Sequence, residues 1–129
     1  MWQYKISTGE LSLNGVFRGT GYSGKDDGDN VPEPGEGKND PTKVTERGIG
    51  PLPPGKYKIG LPHHHPTAGP VTMRLHPQPG TETFGRSGFL IHPDSINAPG
   101  TASHGCIVLS RLLRLAIADG GDEDLNVVP

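Results

Sequence analysis

Glycine and proline interrupt this chain too often for long regular elements. The 20 glycines and 14 prolines make up 34 of its 129 residues. Fourteen of these fall within residues 21–55, and the apolar runs elsewhere are short. With few strong helix formers, such punctuation argues against an all-α bundle. It favours short strands separated by turns, in a mainly β, compact β-sandwich or partly open barrel. The length fits one domain, 1–129, able to bury roughly two-thirds of its unfolded surface.

The elements can be placed in turn. Trp2, Tyr4 and Ile6 alternate with Gln3 and Lys5, the period of a half-buried strand. Thr8-Gly9 turns that strand into Leu11–Phe17, and a third strand includes Val16–Tyr22. Residues 25–47 read as a long mobile loop with little to bury. The rigid turn Gly50-Pro-Leu-Pro-Pro-Gly55 leads into a strand at Lys56–Leu61. His63–His65 fall in a proline-flanked loop, and Val71–His76 is a further strand. Two β-prone runs follow, Phe89–His92 and Cys106–Leu109. Ser110 caps one short helix near 111–118, which Gly120 can end. Leu125–Val128 reads as a last edge strand.

Several function classes are excluded early. A net charge of −2 gives no general affinity for nucleic acid. Nothing approaches 18 consecutive apolar residues, so no membrane span is expected. The opening MWQYKISTGE lacks the charged and apolar segments of a secretory signal peptide. One cysteine cannot build an internal disulfide or a multi-cysteine metal site. The charge is also uneven. Residues 25–40 hold six acids and two bases, and residues 119–124 hold four acids, so ten bases and four acids remain elsewhere. That basic body suits an anionic ligand.

The chemistry concentrates at Cys106. His92 closes one apolar run and Cys106 opens the next, 14 positions on. If the two runs pair as antiparallel neighbours, directly opposed Cβ atoms lie about 5 Å apart. A free thiol is only about 3 % ionised at pH 7. An adjacent imidazole takes its proton, and the thiolate can then attack a carbonyl to form a thioester. Ser103-His104-Gly105 supplies consecutive backbone N–H groups at a tight turn, where an oxyanion can be received. His92 needs an orienting partner on its second nitrogen. The His104 side chain, Ser103 Oγ and a backbone carbonyl are all open to it.

His92 followed by Ser103-His104-Gly105-Cys106 resembles the signature of L,D-transpeptidases of the YkuD-like type. The stretches Gly85-Arg-Ser-Gly-Phe-Leu-Ile-His92 and Pro99–Arg111 are similar to one branch, the L,D-transpeptidase-like effectors of type VI secretion systems. Leu11–Gly15, Gly21-Tyr-Ser-Gly24 and Gly50–Tyr57 fit that branch too, so the resemblance spans roughly 1–118. It implies an enzyme acting on peptidoglycan tetrapeptide stems, with Cys106 as nucleophile, His92 as base and residues 104–106 as oxyanion hole. The bond attacked would join meso-diaminopimelate to D-Ala. Water would resolve the thioester in an L,D-carboxypeptidase, and a free D-amino acid in an exchange transpeptidase. By analogy Tyr22 and Ser23 line the site. Val108 stands where general L,D-transpeptidases carry Asn or Arg, which leaves Arg111 as the candidate for carboxylate binding. No cofactor is implied. The partners implied are stem peptides, D-amino acids, an immunity protein and a secretion apparatus. With no signal peptide visible, the expectation is synthesis in the cytoplasm and action in a target periplasm.

Two other readings use the same residues. His63–His65, His76, His92 and His104 with Cys106 could form a zinc site for a metallopeptidase. Alternatively, Cys106 is a small buried apolar residue of a wall-binding or partner-binding β module.

Overall fold

The computed structural model describes residues 1–129. It contains ten strands and one helix: β1 (Trp2–Lys5), β2 (Glu10–Leu13), β3 (Val16–Thr20), β4 (Tyr22–Ser23), β5 (Gly55–Ile59), β6 (His63–His65), β7 (Gly69–Pro77), β8 (Leu90–His92), β9 (Ile107–Val108), α1 (Arg111–Gly120) and β10 (Asp124–Val128). The alternation of Trp2 and Tyr4 with Gln3 and Lys5 becomes the buried and exposed faces of β1. The strands form one sheet in the order β3-β2-β1-β10-β5-β7-β8-β9-β4, with β6 paired to β7.

The two ends of that path, β3 and β4, are consecutive in the chain and joined only by Gly21. The sheet therefore curls until its ends nearly meet, in a mainly β, nearly closed barrel. Close backbone approach is what permits this. Gly21 N–H donates to the Gly9 carbonyl at 2.8 Å. A side chain on Gly21 would collide with the Val108 carbonyl and with Leu109, so this corner accepts only glycine.

Inside lies a cluster of 17 buried apolar residues. It includes Trp2, Tyr4, Tyr57, Met73, Phe89, Ile91, Ile107 and Leu125. Burying each large side chain stabilises the fold by about 1.5–3 kcal/mol. The helix adds one face only. Leu113, Ala116 and Ile117 pack on the core while Leu112 on the opposite side is 82 % exposed, as i, i+3, i+4 spacing requires. Its start is capped as expected, with Ser110 Oγ accepting from Leu113 N–H at 3.3 Å. Gly121, at φ 76°, ends it one residue later than the sequence reading has it.

Four expectations need correction. The Phe89–His92 and Cys106–Leu109 runs pair in parallel, with Ile91 beside Ile107 and His92 beside Val108. The 93–105 connection is long enough for the crossover that a parallel pair needs. Leu125–Val128 is not an edge. Its strand sits parallel to β1 and antiparallel to β5, in the middle of the sheet. The histidine triplet forms a short strand on β7. Residues 25–47 carry only a single 3-10 turn at Pro41–Lys43, but they contribute Val44 to the core. They are tied in by Lys25 N–H to Ile49 O and Asn39 N–H to Ser23 O, both 2.8 Å. No helix is long and apolar enough to cross a membrane.

Candidate active site

β8 and β9 place the two groups singled out in the sequence. Ile91 and Ile107 point into the core, each 1 % exposed. Alternation then turns His92 and Cys106 to the other face. In the parallel register His92 stands opposite Val108, two residues beyond Cys106. The separation follows from strand spacing and rise: about 8 Å between backbones, rather than direct opposition. Both side chains project from the same face of the sheet. Both line a cavity of about 390 Å3 together with His65, Ala102 and the residues around Pro93. Cys106 is partly exposed there.

The imidazole is oriented by a backbone carbonyl, one of the three partners the sequence leaves open. His92 Nδ1 lies 2.7 Å from the Pro93 carbonyl oxygen. A carbonyl can only accept, so Nδ1 carries the proton and Nε2 is left unprotonated. Burial pushes the His92 pKa down, opposed by the Pro93 bond, and nearby Arg114 pushes it further down. Burial also pushes the Cys106 thiol up, opposed by the Leu90 N–H and by the Arg86 charge. The thiol donates weakly to the Gly88 carbonyl at 3.7 Å. Both groups are thus neutral at rest. A neutral thiol and a neutral imidazole share the cavity, rather than a standing ion pair.

Ser103 governs the turn before the sulfur. It is fully buried. Its Oγ accepts from Gly24 N–H at 2.9 Å and from Gly105 N–H at 3.2 Å, and donates to the Cys106 carbonyl at 2.6 Å. Gly105 adopts φ 138°, and a side chain there would strike the Arg86 guanidinium. One of the three N–H groups expected in an oxyanion hole, that of Gly105, is therefore spent inside the turn. The His104 side chain is exposed and turned away from the cavity. Its Nδ1 donates to the Gly48 carbonyl at 3.3 Å.

A larger cleft of about 900 Å3 adjoins the first, sharing Thr67, Ala68, Pro93, Asp94 and Ser95 with it. Tyr22 lines this cleft, as do Arg111 and Arg114. Tyr22 OH donates to Asp94 Oδ1 at 2.6 Å and accepts from Ala102 N–H at 2.9 Å. Asp94 also accepts from Ser95 and Gly100 N–H, so its charge is well satisfied. Arg111 is exposed at the helix start. Ser23 behaves differently from its neighbour. It is fully buried, its Oγ accepts from Leu52 N–H at 2.9 Å, and it reaches neither cavity.

Sequence reasoning passed over Arg86, Asp94 and Arg114. Arg114 is 5 % exposed, with Nε donating to the Leu109 carbonyl and Nη1 to that of Pro70. Its signal is faint but present, since Arg114 lies three residues before the apolar Ile117 and so shares its face of the helix. Asp94 directly follows His92-Pro93, a loop position where an aspartate caps free N–H groups. The zinc alternative gains nothing from the geometry. Side chains of metal-binding type converge only at Asp26, Asp27, Asp29 and Glu36, and those include none of the histidines and not Cys106.

No curated protein matches the chain. Residues 18–120 match the family model of the Tlde1 domain, a span that holds both cavities, Ser103 and the His92/Cys106 face. With that match over most of its length, the chain belongs to the Tlde1 domain family, which is a type VI secretion effector family of L,D-transpeptidase-like character.

Proposed function

We propose that this protein is a cysteine-dependent peptidoglycan-modifying enzyme with YkuD-like chemistry. It acts on tetrapeptide stems as an L,D-carboxypeptidase, a D-amino-acid exchange L,D-transpeptidase, or both. The observation that carries the reading is the shared cavity of Cys106 and His92, with His92 Nδ1 tied to the Pro93 carbonyl. That bond leaves Nε2 as a base of ordinary geometry for a neutral thiol.

In the proposed reaction, Nε2 takes the Sγ proton as sulfur attacks the carbonyl carbon of the third residue. The oxyanion is received by the N–H groups of His104 and Cys106, because that of Gly105 is engaged with Ser103. The C–N bond to D-Ala breaks and the imidazolium returns its proton to the departing amine, leaving a thioester. Water, deprotonated at Nε2, hydrolyses the thioester to the acid and the free thiol. A D-amino acid arriving instead forms a new amide. Arg111, with Arg114 on the same wall of the larger cleft, receives a stem carboxylate. Ser103 acts by holding the turn.

The family assignment supports an antibacterial effector made in the cytoplasm and secreted to act in a target periplasm. It also supports a cognate immunity protein, for which the open cleft is the natural seat. The deciding experiment is mass spectrometry of disaccharide tetrapeptides incubated with the protein, with and without a free D-amino acid. Cys106→Ala is expected to release no D-Ala while keeping its circular dichroism spectrum and melting temperature. Undiminished release by that variant overturns the proposal.

A further inference from the structure

Arg86 is a buried cation without an anion. The residue is 6 % exposed, and none of the four ion pairs in the protein includes it. Carbonyl oxygens alone hold its guanidinium. Nη1 donates to Val44 at 2.6 Å and to Pro51 at 2.8 Å, and Nη2 donates to Gly50 at 2.9 Å. The Phe89 ring lies on another side, 5.7 Å from the guanidinium carbon. Burying a charge in this way is costly unless an opposite charge answers it. Carbonyl dipoles offset part of that cost.

The remaining side faces the nucleophile's turn. Nη2 sits where a Gly105 side chain would be, and the next residue is Cys106. The charge is felt in both directions. Arg86 favours the Cys106 thiolate, and that thiolate favours the Arg86 cation. The other ionisable groups around the sulfur are few. His65, His92 and Asp94 line its cavity. His65 Nδ1 is occupied as the acceptor of Thr67 and Ala68 N–H. Asp94 is taken up by Tyr22, Ser95 and Gly100. Arg86, behind the turn, carries its positive charge at every working pH.

We propose that Arg86 is a positioning residue with two linked roles. Its charge balances the sulfur anion formed when His92 removes the thiol proton, and its fork fastens residues 44–51 behind the Ser103–Gly105 turn. The idea rests on Cys106 being the nucleophile proposed above, but its test needs no peptide substrate. Failure here is therefore distinguishable from failure of D-Ala release.

The test follows the rate of Cys106 alkylation by iodoacetamide from pH 5 to 10 in the full chain, alongside melting temperature. Arg86→Met is expected to raise the midpoint by about one pH unit, or about tenfold slower alkylation at pH 7. Arg86→Lys keeps the charge but loses the fork, so it is expected to lower the melting temperature while leaving the midpoint within a few tenths of a unit. A midpoint that Arg86→Met leaves unmoved, or that both variants move equally, overturns the proposal. If Arg86→Met does not fold, the unaltered protein decides. Above pH 8, where His92 is neutral, Cys106 should favour anionic iodoacetate over iodoacetamide several-fold more than free glutathione does. An equal preference overturns the proposal as well.

Discussion

Ser103→Ala removes one oxygen from the base of the proposed nucleophile's turn, and the structure allows its cost to be worked out. That oxygen is the acceptor for two buried donors, Gly24 N–H and Gly105 N–H. Its third bond, to the Cys106 carbonyl, is only part-buried, so water can replace it there. An N–H left buried without a partner costs about 1–3 kcal/mol. Two of them amount to about 2–6 kcal/mol, set against a typical domain stability of about 5–15 kcal/mol. Urea unfolding should show a lower midpoint at constant slope, which reports stability rather than compactness. Hydrogen exchange at the Gly24 and Gly105 amides should accelerate together. His104→Ala is the internal control. It loses one exposed bond of 3.3 Å and should stay within about 0.5 kcal/mol of the parent. A Ser103→Ala protein that is as stable as His104→Ala, with the Gly105 amide still protected, would refute the reasoning.

Two further outcomes are expected. His92 is held neutral in the folded protein, its pKa below the unfolded value of about 6.5. The unfolded chain therefore takes up this proton first, and stability should fall as pH drops below about 6.5, with a limiting slope of about 1.4 kcal/mol per pH unit. His92→Gln should flatten that limb of the unfolding free energy between pH 4.5 and 8, and an unchanged slope counts against the assignment. Gly21→Ala places a methyl group against the Val108 carbonyl and the Leu109 side chain. It should cost about 2–3 kcal/mol in thermal unfolding, and a neutral effect would mean that the barrel corner is looser than described.

Local patterns were legible in the sequence, and long-range pairings were not. Trp2, Tyr4 and Ile6 announce a strand because alternation is a property of neighbouring residues. Ser110 announces a helix start for the same reason. That His92 and Cys106 close and open neighbouring strands was also legible as a strand–loop–strand arrangement, but its direction was not. Direction depends on β7 occupying the other side of β8 and on Tyr22 pairing with Val108, and neither contact leaves a mark near residue 92. The same holds for β10, whose sequence says strand but not which neighbours. Arg86 was hidden for a different reason. A cation in a Gly-rich stretch reads as exposed, and only three distant carbonyls make it otherwise. Ser23 and Tyr22 show the limit of carrying a motif over whole, since one lines the cleft and the other supports the Leu52 backbone.

The seat of β10 has a bearing on how such a molecule comes into being. Residues 124–128 fill the slot between β1 and β5, so a ribosome must deliver them before the first strand and the fifth can be zipped into one surface. A nascent chain that already carries His92 and Cys106 still lacks the keystone of its wall. The cell that makes it therefore handles an unassembled polypeptide until synthesis reaches residues 124–128.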